Sequence, residues 1–150
     1  MIPESKLIRC ELTIRDMSLP DEVLIAKKSL IRWLAVSLGM IMPNESRKLL
    51  LDVIEVLFEF HIKKEAPTTK DILARLEEMT KTPQNQKAVY YHLLRLKNMG
   101  ILNRKKGRYY FGEGDGKNLR ETFRQFYMKK ADGAFASIDR ALEKLENSYI

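Results

Sequence analysis

The side chains that most often do chemistry in proteins are sparse in this chain of 150 residues. His61 and His92 are 31 positions apart, and Cys10 is the single cysteine. His61 and Glu65 have the i, i+4 spacing of two metal ligands on one helix face, but Pro67 follows closely and no third ligand is in view. The sequence shows no nucleophile with a neighbouring base. We therefore expect no metal, no cofactor and no catalytic residue, and the protein is predicted not to be an enzyme.

A glycine-rich segment, with glycines at positions 112, 114 and 116, lies between a predicted strand and a predicted helix, where phosphate-binding loops occur. Glu113 and Asp115 stand between these glycines and would repel a phosphate group. The lysine of a P-loop is also not in place. This segment is predicted to be a flexible linker.

Positive charge is the strongest chemical signal in the sequence. The chain carries 27 Lys plus Arg against 20 Asp plus Glu, which gives a net charge of +7. Residues 79–112 hold eight of the basic side chains and no acidic one, whereas the rest of the chain holds 19 basic and 20 acidic side chains. The eight are Lys81, Lys87, Arg95, Lys97, Arg104, Lys105, Lys106 and Arg108. Such a concentration indicates a surface for a polyanion, above all for the phosphates of a nucleic acid.

The first half of this basic window is predicted to be a helix over residues 84–98. Val89, Leu93 and Leu96 lie on one of its faces at about 100° per residue. The opposite face carries Lys87, Tyr91, Leu94, Arg95 and Asn98. One face is therefore expected to pack and the other to be presented to a partner, as a helix in a DNA major groove requires.

The second half of the window is predicted to be a β-hairpin. Its short strands cover residues 101–103 and 108–111, and a turn at residues 105–107 joins them. Two further helices come before the basic window, over residues 49–60 and 69–79. Thr68 and Asp71 form a capping-box pattern at the start of the second one.

This order of elements, with two sequence runs, resembles the winged helix-turn-helix transcription regulators of the ArsR, MarR and PadR type. The resemblance covers about residues 46–111. Residues 88–102 read AVYYHLLRLKNMGIL and are similar to the recognition helix and first wing strand of those proteins, and residues 104–111, RKKGRYYF, are similar to their wing. The resemblance implies that the helix enters the major groove and that the wing contacts the backbone or the minor groove. The implied DNA-binding residues are Gln84, Asn85, Gln86, Lys87, Tyr90, Tyr91 and Arg95 in the helix, and Arg104, Lys105, Lys106 and Arg108 in the wing.

The segment before the basic window is predicted to hold a strand and a helix. Apolar and polar residues alternate over residues 8–15, which predicts a half-buried strand with Cys10 on its inner face. Ser18 and Asp21 form a capping-box pattern for a helix that reaches about Leu38. Apolar residues cover more than one face of this helix, so it is predicted to be buried on two sides.

The fold class that follows is mainly α with a small β component. A winged helix-turn-helix domain (residues 44–112) is flanked by an N-terminal strand and helix (residues 1–43) and by a linker with a long C-terminal helix (residues 113–150). Asn118 and Glu121 are predicted to cap the C-terminal helix.

Two apolar surfaces outside the basic window predict a homodimer. In the last helix, apolar residues recur at spacings of three and four, which is the seam of a helical pair. These residues are Phe135, Ile138, Leu142 and Leu145, and the matching residues of the first helix are Leu30, Trp33 and Leu34. The alternative is that the last helix folds back on the first helix of the same chain.

The sequence as a whole predicts a sequence-specific double-stranded DNA-binding protein that regulates transcription as a homodimer. The alternative is a winged-helix module that docks on another protein in the transcription or replication machinery, for which exposed Leu94 is the best support, or an RNA binder. A single cysteine and the lack of a secretory signal at residues 1–9 favour the cytoplasm. The strongest apolar stretch spans residues 29–42, which is too short to cross a membrane.

Overall fold

A computed structural model of the protein describes residues 1–45 and 47–150. Ser46, where the resemblance to winged-helix regulators begins, lies outside the described residues. A 3-10 helix (Pro3–Leu7) precedes the main elements, which are α1 (Asp21–Ile25), α2 (Lys27–Ser37), α3 (Lys48–Ile62), α4 (Thr69–Thr80), α5 (Gln86–Asn98), β1 (Leu102–Lys105), β2 (Arg108–Phe111) and α6 (Leu119–Asn147). Helices hold 60% of the residues and the two strands form one antiparallel sheet. The prediction of a mainly helical chain with a small β component is confirmed.

Helix α3 is the centre of the core. Its residues 53–58 are all buried, and it packs against α2, α4, α5, β2 and α6. The buried Glu55 accepts a hydrogen bond from Lys28 of α2 at 2.8 Å, and Glu59 accepts one from Arg75 of α4, also at 2.8 Å. These pairs stabilise the charge of carboxylates that would otherwise be costly to bury. Helix α3 thereby fixes the positions of its neighbours on both sides.

Helix α4 begins at the predicted capping box. The Thr68 hydroxyl accepts a hydrogen bond from the Asp71 amide at 3.1 Å, and the Thr68 amide donates to the Asp71 carboxylate at 3.0 Å. The backbone hydrogen bond from Thr68 lowers the pKa of Asp71. This part of the prediction is confirmed, because the box depends only on residues three positions apart.

The predicted β-hairpin is present, but β1 covers Leu102–Lys105 instead of residues 101–103, so Lys105 belongs to the strand and not to the turn. Leu102 pairs with Phe111 and Lys105 with Arg108. Lys106 and Gly107 form the two-residue turn at φ values of +53° and +79°, as a turn of the primed type requires. The Tyr109 amide donates to the Pro67 carbonyl at 2.8 Å, so the hairpin is attached to the loop before α4.

The predicted strand at residues 8–15 is wrong. Residues 8–20 run without helix, strand or turn, and Cys10 is exposed instead of lying on an inner face. The apolar residues of the pattern, Ile8, Leu12 and Ile14, are 60%, 40% and 58% exposed. The alternation is that of a strand, but the described chain supplies no neighbouring strand to pair with it. Arg15 holds the segment in place. Its backbone amide donates to the Ser37 carbonyl at 2.8 Å, and its guanidinium donates to the Val36 carbonyl at 2.7 Å.

The predicted first helix, over residues 18–38, is two helices. Ala26 has extended backbone angles and separates α1 from α2. Helix α1 starts after Pro20 and shows no side-chain cap among the described residues, so the capping box of Ser18 and Asp21 is wrong. Pro20 occupies the N-cap position, so Asp21 is the first residue of the helix. In a capping box the acidic residue is the third residue of the helix, from which its side chain reaches back to the N-cap amide.

Burial of the first helix on two sides is also not observed. Two residues of α2, Ile31 and Ala35, are buried. Leu30, Trp33 and Leu34 are half-buried. The Trp33 indole donates to the Ser18 carbonyl at 2.8 Å, so this ring is partly used within the chain.

Helix α6 is one continuous helix that passes through Gly133 without a break. Asn118 caps it as predicted and accepts a hydrogen bond from the Glu121 amide at 2.8 Å. Its first half packs on the core through Phe123 and Tyr127, and the Tyr127 hydroxyl donates to the Leu38 carbonyl. Every residue from 132 to 150 is exposed. The last helix therefore does not fold back along the first one within the chain.

No helix in the described part of the chain is both long and apolar enough to cross a membrane.

Candidate nucleic-acid interface

Helix α5 has the two faces that its sequence predicts. Val89, Leu93 and Leu96 are fully buried against the core. On the other face Tyr90, Tyr91 and Leu94 are 45%, 56% and 44% exposed, and Lys87 is also exposed. Packing of the first face fixes the orientation of the helix, so the second face is a rigid surface open to solvent.

The three amide side chains that are predicted to contact DNA near the start of α5 have different roles in the structure. Asn85 is the N-cap, and its side chain accepts a hydrogen bond from the Ala88 amide at 3.1 Å. Gln84 lies before the helix, and its amide donates to the Thr80 hydroxyl at 3.0 Å. Gln86 is the first residue of the helix and is exposed. Gln84 and Asn85 thus shape the loop and the cap, while Gln86 is open to a ligand.

The hairpin adds its basic residues to the same surface. Arg104, Lys105 and Lys106 are exposed at the end of β1 and in the turn. The Arg104 guanidinium donates to the Tyr90 hydroxyl of α5 at 3.3 Å, and it lies over the Tyr109 ring with 5.3 Å to the ring centroid. These contacts join the exposed face of α5 to the hairpin in one continuous surface.

Arg108 extends this surface toward α4. Its side chain is exposed, and its guanidinium donates to the Ala66 carbonyl at 2.8 Å. Part of its donor capacity is therefore used to hold the hairpin on the loop before α4. Among residues 1–45 and 47–150 its other guanidinium N–H groups have no hydrogen-bond partner, so they are available to a phosphate.

Arg95 is placed differently from the other predicted contacts. Its guanidinium forms a two-pronged ion pair with Glu45, with N–O distances of 2.6 and 2.8 Å. The side chains of Arg95 and Glu45 are only 27% and 13% exposed. Hydrogen bonding from Arg95 lowers the pKa of Glu45 from 4.5 to about 2, so the pair is charged at every physiological pH. Arg95 is thus committed to a contact inside the chain.

Glu45 is the residue of this region that sequence reasoning missed. It lies 50 positions before Arg95, outside every motif and before α3. No local signal connects the two residues, because the pair exists only once α3 and α5 are packed together.

His92 is buried on the packed side of α5, as its position beside Leu93 suggests. It is 5% exposed, and its Nδ1 has no hydrogen-bond partner among residues 1–45 and 47–150. Burial lowers the pKa of His92, and the charges of Arg47 and Arg95 lower it further. The neutral form is favoured, which suits a structural position beside two arginines.

The second histidine also has a structural contact. His61 lies near the end of α3, and its Nε2 is 2.7 Å from the Lys117 carbonyl oxygen just before α6. Within the described residues, no three side chains of His, Cys, Asp or Glu come together as a metal site would need.

The predicted dimerisation residues lie on two separate elements. Phe135, Ile138, Leu142 and Leu145 form an exposed stripe on the second half of α6. Leu30, Trp33 and Leu34 lie half-buried on α2. The stripe on α6 is thus the more open of the two surfaces.

Comparison with protein-family models, with curated proteins and with solved structures finds no match to this chain. The functional argument therefore depends on the geometry and charge of the surface itself.

Proposed function

We propose that the protein is a winged helix-turn-helix regulator of transcription that binds specific sequences of double-stranded DNA as a homodimer. The observation that carries this proposal is the surface formed by α5 and the hairpin. Tyr90 and Arg104 join the two elements, and exposed basic side chains lie on both sides of this contact. The segment that forms the surface contains no carboxylate.

The shape of this surface suits a duplex. A helix fits the major groove of B-DNA, and a hairpin beside it reaches the neighbouring phosphates or the minor groove. Gln86, Lys87 and Tyr91 occupy the exposed face of α5 and are the candidates for contacts with base edges. Lys105 and Lys106 are exposed at the hairpin tip, so their contacts with phosphates would release counterions and give salt-dependent affinity.

The structure changes which residues we assign to base reading. Arg95 is engaged with Glu45, so it enters the proposed interface only if a phosphate or base displaces that carboxylate. Gln84 and Asn85 support the loop and helix cap. Sequence preference is therefore assigned to Gln86, Lys87 and Tyr91.

Duplex binding is tested by fluorescence anisotropy over a range of salt concentrations, with DNA selected from a random library. The double variant Lys105→Ala/Lys106→Ala should lower the log–log salt slope by up to about 1.8, because each phosphate contact contributes about 0.9. The matched control, Lys63→Ala/Lys144→Ala, removes two exposed lysines elsewhere and should leave the slope unchanged. Equal slopes for the two double variants would overturn the proposal.

One observation favours a second function, docking on another protein. Leu94 is 44% exposed in the middle of the presented face of α5, beside Tyr91, and exposed apolar residues are typical of the centre of protein interfaces. Leu94→Ser should leave duplex affinity nearly unchanged if DNA is the partner. A stoichiometric protein partner that is lost on Leu94→Ser, with no duplex binding in the same buffer, would establish the docking function instead. Competition with a matched RNA duplex distinguishes an RNA binder.

A further inference from the structure

The second half of α6 carries an apolar stripe that no described residue of the same chain covers. Phe135, Ile138, Leu142 and Leu145 are 43–54% exposed, and Tyr149, two residues past the end of the helix, extends the stripe at 83%. Helices of this length are marginal in water on their own, because most of their stability in proteins comes from packing of an apolar face. A helix that continues to Asn147 with this face open therefore calls for a partner.

A groove lies directly beside the stripe. It has a volume of about 910 Å³ and separates the N-terminal segment from α6. Leu7 and Ile8 form one wall and are 76% and 60% exposed. Ala134 and Ile138 of α6 form part of the other wall. Ile138 belongs both to the groove and to the stripe, so the two make one continuous apolar surface.

The size of this surface matches what a dimer needs. If a fully exposed large apolar side chain offers roughly 200 Å², the five residues of the stripe and the two on the N-terminal wall expose about 800 Å² together. Stable interfaces bury about 800 Å² on each partner. The surface also presents an exposed apolar helix face with spacings of three and four, which pairs with a second face of the same kind, so a second copy of this chain is a suitable occupant.

The two edges of the stripe differ in charge. One edge carries carboxylates at every seventh position, namely Asp132, Asp139 and Glu146. The other edge carries small residues, also at every seventh position, namely Ala134, Ala141 and Ser148. The groove lies on the edge of small residues, and its charged lining is mixed, with Arg9, Lys129 and Lys130 beside Glu113 and Asp115.

We propose that the exposed second half of α6 pairs in parallel with the same half of α6 in a second copy, along the stripe that meets the groove at Ile138. In a parallel pair the acidic edge of one helix faces the small-residue edge of the other, where no carboxylate of α6 opposes it. In an antiparallel pair the two acidic edges would face each other, and like charges at such positions are destabilising. This inference deepens the homodimer part of the proposed function, and its test needs no DNA.

The first experiment is sedimentation equilibrium of the full chain with and without Leu142→Asp. The wild-type protein should be a dimer at micromolar concentration, and Leu142→Asp should weaken the dimer at least about 100-fold, because it places two carboxylates at the centre of the interface. The matched control, Ser137→Asp, adds the same charge to the opposite face of α6 and should leave the dimer intact. Circular dichroism checks that both variants keep the helices of the core. A monomeric wild-type protein, or a Leu142→Asp dimer of unchanged affinity, overturns the proposal.

The second experiment tests the orientation by disulfide cross-linking in a Cys10→Ser background. Phe135→Cys and Leu145→Cys are made separately, and both positions lie within α6. They are 10 residues apart, roughly 15 Å along a helix, and a disulfide needs Cα atoms within about 7 Å. A parallel pair brings each cysteine next to its own copy, so both variants should cross-link. An antiparallel pair can cross-link at most one of them, and that result overturns the parallel arrangement.

The two proposals fail in different ways. A cross-linked dimer that does not bind duplex DNA overturns the proposed function and leaves the interface in place. A monomer that binds duplex DNA with the expected salt slope overturns the interface and leaves DNA binding in place.

Discussion

The ion pair between Glu45 and Arg95 gives a prediction that joins stability to DNA affinity. Glu45→Gln keeps the size of the side chain and removes its charge. Lowering a carboxyl pKa from 4.5 to about 2 corresponds to at most about 3.4 kcal/mol of stability at neutral pH. Both side chains are still partly open to solvent, which weakens the attraction. We therefore expect Glu45→Gln to lower the free energy of unfolding by about 2 kcal/mol at pH 7.

The sign of the pH dependence follows from the direction of the pKa change. The folded chain holds the Glu45 carboxylate more strongly than the unfolded chain does, so its contribution is complete above about pH 4.5 and is lost as the pH falls toward 2. Urea denaturation followed by the fluorescence of Trp33, the only tryptophan, measures the difference between wild type and variant. That difference should shrink steadily between pH 4.5 and pH 2.

Glu78→Gln is the matched control. Glu78 also contacts an arginine, Arg75, at 3.4 Å, but its side chain is 73% exposed. We therefore expect Glu78→Gln to lower the free energy of unfolding by less than about 0.5 kcal/mol. Equal losses for the two variants at pH 7 would refute the assignment of a strong pair to Glu45. A difference that does not shrink on acidification would refute the electrostatic origin.

The same variant should bind duplex DNA more tightly. Release of Arg95 adds one cation to the exposed side of α5, which should steepen the log–log salt slope by about 0.9 and raise affinity severalfold at moderate salt. An unchanged slope would refute the view that Glu45 withholds Arg95 from the proposed interface.

Two further predictions concern α5 and the hairpin. His92→Leu removes a buried imidazole whose pKa is lowered, so the variant should gain stability relative to wild type as the pH falls from 7 to 5, because the unfolded wild-type chain takes up the proton more readily than the folded chain does; a constant difference in urea denaturation would contradict this. Gly107→Ala places a Cβ at φ +79° with open space around it. The unfavourable backbone conformation alone should therefore lower the free energy of unfolding by about 1 kcal/mol. The variant should also bind duplex DNA more weakly, while its helical circular dichroism stays unchanged. A loss of helix signal would contradict a defect confined to the hairpin.

The features that the sequence predicts well are those that depend on neighbours in the chain. The capping box of Thr68 and the Asn118 cap involve residues three positions apart, and both form as expected. The hairpin turn needs only Lys106 and Gly107 to adopt positive φ values. The packed face of α5 follows from helical periodicity. Val89, Leu93 and Leu96 have spacings of four and three, so they lie on one side of the helix, and that side must face the core.

The features that the sequence does not predict depend on partners far away in the chain. The alternation at residues 8–15 is a real strand pattern, but a strand forms only if a neighbour offers its backbone groups, and the described chain has none for it. Arg95 has the residue type and the helix face of a DNA contact. Its partner Glu45 is separated by 50 positions, and such a distance leaves no periodic or local signal.

Lys106 has a consequence for any attempt to improve this protein. It is a lysine in the left-handed region at the tip of the hairpin, with φ +53°, where glycine would be more stable by about 1 kcal/mol. A redesign guided by thermal stability alone would replace it and would remove an exposed cation of the hairpin tip. We therefore expect Lys106→Gly to raise the melting temperature and to weaken binding of the target at the same time.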